Sequence, residues 1–231
     1  MRVIVDARRL KNAVNAVSLA AGRDVDSSQF TNVLLRYIGG SEPQLHIVAT
    51  DSHVMAVWRE RVKRVEGVEH DAIAVDAIDL RRAVKKSHSK YKSVGIDIDF
   101  SNGSIGSDVV PAPRIETRSA NPFTFPPYEP LFTTQREPNP SRVTGFDLAL
   151  VRRVCKMFRR GVGTRGYVGT RFDHAGGNNP LFITSTIEPS LTVVLMPLTH
   201  DHVTRGYEGP LSASLNEPEF TDDYEQDEAA S

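Results

Sequence analysis

The feature that most constrains this chain is an order of one strand, one helix and three strands that recurs three times along 231 residues. The first copy begins with the strand RVIVD (2–6) and a helix over 7–22. Strands follow over 30–38, 44–50 and 53–62. Apolar residues at helical spacing predict the helix, and alternating or β-branched runs bounded by turn residues predict the strands. The chain is therefore expected to fold as repeated β-α-β-β-β units of the α+β class.

The second copy has the same order as the first. It begins with the strand AIAVD (72–76) and a helix that starts at Asp76 or Asp79. Three short strands are predicted within KSVGIDIDF, SIGSDVV and RIETRS. The pair Asn102-Gly103 is a strong signal for a hairpin turn between two of them.

A proline-rich passage over 121–132 breaks regular structure and predicts a domain boundary. The third copy lies beyond it, with a strand over 141–147 and a helix over 147–161. Its other strands are predicted within TRGYVGTRFDH, LFITSTI and LTVVLMPL. The predicted organisation is one domain of two units over 1–130, a third unit over 131–200 and a tail over 201–231.

Charge is distributed unevenly between the body of the chain and this tail. The formal net charge is -1, yet the residues after His200 include nine acidic residues and a single basic residue, Arg205. Residues 1–200 therefore hold 27 basic and 20 acidic residues, a net charge of +7. A tail so acidic and so poor in apolar residues cannot bury enough surface to order itself, so we expect it to be disordered.

Several classes of protein and of site are not expected. No run of about 18 apolar residues could span a membrane, and the N-terminus lacks the apolar core of a signal peptide. Cys155 has no second cysteine to pair with, so a reducing, cytoplasmic compartment is the simplest interpretation. The seven histidines form no zinc motif, and no nucleophile, base and orienting group come together. We therefore expect no metal, no cofactor and no enzymatic activity.

Three features that look chemical have simpler interpretations. Residues 161–166 satisfy GxGxxG, but they follow a helix and lead into a strand, which predicts a helix end and a loop rather than a dinucleotide site. Alternation in GIDIDF places Asp97 and Asp99 on the solvent face of a half-buried strand. A nuclease that uses this pair with a divalent metal is the enzymatic alternative. Cys155 occupies an apolar position of the third helix, so it is expected to be buried.

Each predicted helix combines an apolar side with a basic side. In the third helix, Leu148, Val151, Cys155 and Phe158 form the predicted apolar side. A solvated surface is a sufficient explanation for one basic side, but basic sides on successive helices favour a polyanion, most often nucleic acid. The residues expected to contact it are Arg8, Lys11, Arg23, Arg81, Arg82, Lys85, Lys86, Arg152, Lys156, Arg159 and Arg160.

Three stretches together resemble the bacterial DNA polymerase III sliding clamp, the beta subunit. NVLLRYI with QLHIVATDSHVMAV (32–57) is similar to the middle clamp domain, where a strand ends in ATDGHRLAV. FPPYEPLF (125–132) is similar to the linker that leaves that domain, and LTVVLMPL (191–198) to the family's chain end, YVVMPMRL. The resemblance covers residues 1–200 and leaves the acidic tail unexplained.

This resemblance implies a DNA-clamp fold, with helices lining the inside of a ring and antiparallel sheets outside. It implies a homo-oligomeric ring that encircles double-stranded DNA without reading its sequence, because phosphate contacts carry no base information. The implied partners are a DNA polymerase, other proteins with clamp-binding motifs, and a clamp loader. The basic helix sides would then face the enclosed duplex.

The resemblance also implies a pocket that binds partner peptides between the middle and last domains. Apolar strand ends, rigid prolines and flexible methionines suit such a groove. Read alone, LTVVLMPL is simply a core strand. The residues at matching positions are Thr50, Ser52, His53, Val54, Met55, Pro126, Leu131, Val194, Leu195, Met196, Pro197 and Leu198.

Two departures from the family's pattern affect what is expected. Val54 and Thr199 stand where the family has arginines, so partner preference is expected to differ. The bacterial protomer has six units, whereas three are predicted here. A clamp mimic that binds clamp-interacting peptides without encircling DNA is therefore the alternative function.

Overall fold

The computed structural model of the chain describes residues 1–22, 30–67, 71–91, 95–107, 114–133, 146–162, 169–173 and 179–197. The strands are β1 (Arg2–Asp6), β2 (Asn32–Ile38), β3 (Gln44–Thr50), β4 (Val54–Glu66), β5 (Ala72–Asp76), β6 (Gly95–Asp99), β7 (Ile105–Ser107), β8 (Ser119–Ala120), β9 (Thr170–Asp173), β10 (Leu181–Ser185) and β11 (Leu191–Leu195). The helices are α1 (Ala7–Val17), α2 (Ala77–Tyr91), the short α3 (Pro130–Thr133) and α4 (Leu148–Val162).

The three long helices begin in the same way, at an aspartate. The carboxylates of Asp6, Asp76 and Asp147 each accept a hydrogen bond from the backbone N–H two residues further on, at 3.0, 3.0 and 2.7 Å. Such a cap satisfies a backbone donor that the first helical turn leaves unpaired, and it stabilises a helix by about 1 kcal/mol. The shared cap marks the start of the helix in each predicted unit.

The described strands form one continuous antiparallel sheet in which the first two units exchange strands. Its order is β7-β6-β1-β4-β3-β2-β5-β8, so the first strand of each unit pairs with the second strand of the other. The long strand β4 pairs with β1 near its end and with β11 over Val54–Trp58. Through β11 the third unit, with β10 and then β9, extends the sheet beyond the first unit.

The helices α1, α2 and α4 cover one face of this sheet, which we call the inner face. α1 contacts α2 on one side and α4 on the other. Trp58, Leu10, Leu80 and Met157 are among the fully buried side chains between sheet and helices. The opposite, outer face carries a smaller cluster beneath the segment 121–133, which we call the outer cluster: Leu34, Val48, Met55, Val57, Phe125, Tyr128 and Val194.

The sequence predicts the α+β class correctly, and the described elements follow the predicted order, while several boundaries differ. α1 ends at Val17 rather than Gly22, and α4 continues through Gly161 to Val162, so the GxGxxG stretch begins inside a helix. β4 extends to Glu66. Only the two-residue β8 and a single bridge from Ile115 to Ile105 form where RIETRS was expected to be a strand.

The third unit is described in part. The segment 141–145 of its predicted first strand, residues 163–168 and the tail 201–231 lie outside the described residues. The strand expected within TRGYVGTRFDH is present only as Thr170–Asp173, and β11 ends at Leu195, before Met196 and Pro197. The predicted division into domains therefore stays a prediction.

Asp97 corrects one prediction about exposure. Its side chain is 1% exposed, although strand alternation placed it on a solvent face. It forms ion pairs with Arg2 and with Arg114, whose Nη1 is 2.6 Å from Asp97 Oδ2. The guanidinium of Arg114 also donates to the side chain and the carbonyl of Ser104. A second layer of side chains thus covers the face that alternation alone assigned to solvent, whereas Asp99, the last residue of β6, is half-buried.

The apolar side predicted for α4 is correct in part. Phe158 is buried and Val151 packs against the inner core, whereas Cys155 is exposed and Leu148 is 81% exposed. The buried residues of α4 are Leu150, Val154, Met157, Phe158 and Gly161. The buried side is therefore turned slightly around the helix from the predicted one, and the basic side keeps its position opposite the sheet.

Candidate nucleic-acid and peptide interfaces

The basic sides of α1, α2 and α4 lie on the surface that points away from the sheet. The opposite side of each helix is buried against the inner face, so residues on the remaining side must point outward. Lys11 is half-buried, and Arg23 lies outside the described residues. The other predicted residues are all exposed: Arg8, Arg81, Arg82, Lys85, Lys86, Arg152, Lys156, Arg159 and Arg160.

Few acids offset these cations within the three helices. Asp79 in the first turn of α2 is the sole acidic residue in the sequences of α1, α2 and α4. It pairs with Arg82 at 3.4 Å and with Arg118 Nε at 2.8 Å, and these arginines hold the pKa of its carboxyl below the usual value. The helix surface therefore presents a strongly positive field, which attracts a polyanion.

Arg9 is excluded from this surface by its contacts, although it lies on α1. Its Nε is 2.8 and 2.9 Å from the two carboxylate oxygens of Glu60, and Glu60 also accepts a bond from the indole N–H of Trp58 at 2.9 Å. The other end of the guanidinium donates to Ser190 at 2.8 Å. Arg9 thus ties the first helix to β4 and to the turn before β11, a structural role.

The turn between β3 and β4 is built by its own side chains. Asp51 Oδ1 accepts from the N–H groups of His53 and Val54 at 3.0 and 2.9 Å. Thr50 Oγ1 donates to the Val54 carbonyl at 3.0 Å and accepts from the N–H of Ser52 at 3.1 Å. Ser52 has a φ of 76°, in the left-handed region that glycine adopts more easily. Hydrogen bonds from side chains therefore hold this turn in a backbone conformation that a glycine more often adopts.

The chain after β11 meets this turn directly. The N–H of Met196 donates to the carbonyl of His53 at 2.9 Å, and Val194 and Leu195 pair with Met55 and Val54. Ser52, His53 and Met196 are exposed here. The first and third of the three resembling stretches, distant in sequence, are therefore adjacent in space.

The middle stretch packs over the outer face beside them. The Tyr128 hydroxyl is 2.7 Å from His46 Nδ1, Glu129 pairs with Arg36, and the guanidinium of Arg59 lies 4.9 Å from the ring centre of Phe132. Burial and the charge of Arg59 lower the pKa of His46 to about 4. Burial raises the pKa of Tyr128 to about 12, so both rings are neutral at pH 7.

The predicted pocket residues divide between the two faces of the sheet. Met55, Leu131 and Val194 belong to the outer cluster or pack against it, and Pro126 and Pro197 are half-buried. Val54 and Leu195 are fully buried in the inner core, and Thr50 is held in its turn. Leu198 lies outside the described residues. A peptide on the outer face can therefore contact only part of the predicted set.

Sequence reasoning did not assign the aromatic residues of the outer face to the site. Phe125, Tyr128, Phe132 and Phe182 lie in or against the outer cluster, and the last two rings stack edge to face at 5.5 Å. The signal that could have found them is the density of aromatic residues between the prolines of NPFTFPPYEPLF. Such residues in a linker indicate packing against a surface rather than a free connection.

Solved structures of bacterial sliding clamps share this arrangement of helices and strands. A DNA polymerase sliding clamp from Caulobacter crescentus superposes with a TM-score of 0.62 at 16% identity, over 86% of this chain and 65% of that one. The clamp from Bacillus subtilis gives a TM-score of 0.61 at 12% identity, over 86% and 64%. The chain has the sliding-clamp fold. The beta subunit of Streptococcus pyogenes DNA polymerase, at 13% identity and a TM-score of 0.61, covers 86% of this chain and 66% of its own length.

The similarity lies in structure rather than in sequence. No protein-family model matches the chain, and no curated protein sequence does. The chain spans slightly less than two thirds of the Caulobacter clamp.

The described residues were also compared with the requirements of a membrane-spanning helix and of a metal site. No helix among them combines the length and the apolar character that crossing a membrane requires. In the same residues, no three His, Cys, Asp or Glu side chains group closely enough to hold a metal ion.

Proposed function

We propose that this protein is a subunit of a DNA sliding clamp. In this proposal it forms a homo-oligomeric ring around duplex DNA in the cytoplasm, binds DNA without sequence preference, and tethers a DNA polymerase and other partners to the template. It has no enzymatic activity in this proposal, because a sliding clamp acts by encircling DNA and holding its partners there. A clamp loader is a further expected partner.

The single observation that carries the proposal is the surface formed by α1, α2 and α4. Three neighbouring helices of a sliding-clamp fold expose basic side chains away from the sheet, with one acid among them. Cations spread along helices contact phosphates and leave the base edges unread. That is the interaction a protein needs to slide over any sequence.

Partner binding is proposed for the outer face near Ser52, His53 and Met196. The support is that the turn before β4, the chain after β11 and the segment over 121–133 meet there. An apolar cluster bordered by exposed polar residues is the usual form of a peptide groove. The acidic tail, which lies outside the described residues, has no assigned part in this proposal.

A clamp mimic is the alternative. Among the described strands, the third unit joins the first through β11 and β4, and no described strand pairs with the free side of β9. A mimic would bind clamp-interacting peptides through the outer face and remain monomeric with DNA. The two functions differ in DNA binding and in mass, and both can be measured.

The test of DNA binding removes three cations of α4. Replacing Arg152, Lys156 and Arg159 with alanine should weaken binding equally for unrelated duplex sequences. The slope of log K against log salt should fall by roughly 0.9 for each phosphate that the variant no longer neutralises. The measurement is fluorescence anisotropy of labelled duplexes at several salt concentrations.

The matched control removes three cations from the outer face. Two of them, Arg61 and Arg64, lie on β4, and Arg171 lies on β9. Each is next to a residue that faces the inner core, so its own side chain lies on the outer face. Their replacement with alanine makes the same change in net charge but should leave the salt slope unaltered. Equal reductions in affinity for the two triple variants would show that net charge, rather than the helix surface, governs binding, and the proposal would fail.

A further inference from the structure

The helix α4 carries five basic residues, and one of them, Arg153, differs from the others in its surroundings. Arg152, Lys156, Arg159 and Arg160 are exposed, whereas Arg153 is half-buried. The helical spacing places Arg153 on the flank of α4, between the side that is buried against the sheet and the basic side. The position of Arg153 therefore separates it from the exposed cations of the same helix.

Arg153 forms an ion pair with Asp51, which lies in the turn between β3 and β4. The Nη1 atom of Arg153 donates to Asp51 Oδ2, and the Asp51 side chain is only 14% exposed. The two residues are 102 positions apart in the sequence, because α4 belongs to the third unit and the turn to the first. The pair thus joins two units at the turn, from the side of the helices.

The two carboxylate oxygens of Asp51 have different roles. Oδ1 accepts from the N–H groups of His53 and Val54 at 3.0 and 2.9 Å, and these bonds close the turn around Ser52. Oδ2 accepts from Arg153. A hydrogen bond between two charged groups is stronger than one between neutral groups, so Arg153 orients the carboxylate whose other oxygen shapes the turn.

The third unit also holds the turn from another side. The N–H of Met196 donates to the carbonyl of His53 at 2.9 Å, and Leu195 pairs with Val54 in the sheet. The turn therefore contacts both α4 and the chain after β11. Ser52 and His53 remain exposed between these two contacts, at the place where partner binding is proposed.

We propose that Arg153 is a positioning residue for the partner-peptide site and that it acts through Asp51. The ion pair holds the turn, before a peptide binds, in the conformation that presents Ser52 and His53. A surface that is ordered in advance loses less conformational entropy on binding, so its affinity is higher. This deepens the peptide-binding part of the proposed function, on which it rests. It also divides the cations of α4 between two tasks, because Arg153 supports the peptide site while the exposed cations contact DNA.

The first experiment measures the affinity of the full chain for a synthetic peptide with a polymerase-type clamp-binding motif, by isothermal titration calorimetry. Arg153→Gln should weaken binding by about 5- to 20-fold, as is typical when a contact that couples two parts of a protein is lost. Arg153→Lys should recover much of this loss, because the pair uses a single nitrogen, Nη1. The matched control is Arg64→Gln, which removes an exposed ion pair with Glu66 at the far end of β4. It makes the same change in net charge and should keep the wild-type affinity.

The second experiment separates the two roles of Asp51. Asp51→Asn keeps the Oδ1 acceptor but removes the charge that attracts Arg153, so it should weaken the peptide as much as Arg153→Gln does. The variant with both changes should bind the peptide no more weakly than either single variant, because two residues that act through one contact are not additive. Losses that multiply in the double variant would show that Arg153 does not act through Asp51.

The third experiment needs no peptide. Hydrogen–deuterium exchange of the free chain measures how well the N–H groups over 50–55 are protected. Arg153→Gln should make exchange in this segment several-fold faster, while exchange in α2 stays at the wild-type rate. Unchanged exchange over 50–55 would mean that Arg153 does not hold the turn. Faster exchange throughout the chain would mean that it stabilises the whole fold instead, and either result would overturn the proposal.

Failure of this proposal is distinguishable from failure of the proposed function. A wild-type chain that binds no peptide contradicts the peptide-binding function, and the exchange measurement still decides whether Arg153 holds the turn. Equal peptide affinities of wild type and Arg153→Gln contradict the positioning role alone. The salt slope of duplex binding should be the same in both proteins, because Asp51 already neutralises the charge of Arg153. A lower slope in Arg153→Gln would place Arg153 among the cations that contact DNA, against the proposal.

Discussion

At the scale of single residues, His46 is the clearest case of a titratable group whose behaviour the fold determines. His46 lies on β3, and its ring contacts the Tyr128 hydroxyl. Burial of the ring, together with the nearby charge of Arg59, lowers its pKa from 6.5 to about 4. In the unfolded chain the same ring takes up a proton near pH 6.5. Between those two values the unfolded state binds more protons, so stability must fall as the pH falls.

The predicted pH dependence follows from that sign. The contribution of His46 is complete above pH 6.5 and is lost progressively towards pH 4. Because the ring is only partly buried, we expect about 1 kcal/mol of loss between about pH 7 and about pH 5, less than the full shift would give. Urea unfolding of wild type and of His46→Gln at both pH values measures it. The variant should lose about 1 kcal/mol less than wild type, and parallel losses would contradict the assignment.

Asp97 and Cys155 show at the same scale why exposure could not be taken from the pattern alone. Alternation in β6 is correct about which face Asp97 lies on, but Arg2 and Arg114 cover that face. Both arginines lie outside β6, far from Asp97 in the sequence. For Cys155 the helical spacing is equally sound, but the buried side of α4 is centred on Leu150, Val154 and Met157, and Cys155 lies beyond its edge. Periodicity identifies apolar sides without showing what packs on each.

At the scale of elements, the contact between α1, α4 and the sheet depends on Gly161. A methyl group at this position would lie 3.0 Å from Trp58 Cζ3 and 3.3 Å from Leu191 Cδ2, both on fully buried residues. Sequence reasoning placed the end of the helix here, because glycine commonly follows a helix. The structure instead uses the missing side chain for close packing inside the helix.

This contact predicts that Gly161→Ala destabilises the protein, against the preference of helices for alanine. Helix propensity would favour alanine by about 1 kcal/mol, but overpacking a rigid core costs about 1–3 kcal/mol. We therefore expect a net loss of stability in urea unfolding. The matched change is Gly39→Ala, where the nearest atom, Tyr37 Cε1, is 3.6 Å away, and it should have little effect. A Gly161→Ala protein as stable as wild type would show that α4 does not pack this closely.

The elements themselves were largely predictable, because each unit repeats strong local signals. A capped helix recurs at Asp6, Asp76 and Asp147, and at the first two positions it follows a short strand. What local signals could not supply is the exchange of strands between the first two units, or the pairing of β11 with the beginning of β4. These pairings join segments that lie far apart in the sequence, and they bring the parts of the candidate peptide site together.

At the scale of the whole molecule, we predict that partner peptides bind to the outer face. Peptides that carry a polymerase-type clamp-binding motif should bind wild type, and Met196→Ala with Leu198→Ala should weaken them. Truncating buried anchors in a groove typically costs about 1–3 kcal/mol each. Isothermal titration calorimetry measures the change. The control is Ile187→Ala, at an exposed apolar residue in the turn at the other end of β10 and β11, and unchanged affinity in the double variant would remove the pocket from this face.

The central claim is that copies of this chain close around DNA, and topology tests it most directly. The protein is incubated with a linear plasmid, onto whose ends a ring can thread, and the ends are then joined by ligation. The circular complex is separated from free protein by gel filtration in moderate salt, and the circle is then cut once. The account predicts that the protein elutes with the intact circle and is lost from the DNA after cutting, because a ring slides off the ends. Equal retention on circular and linear DNA would show ordinary surface binding through the basic helices, and the clamp proposal would be wrong.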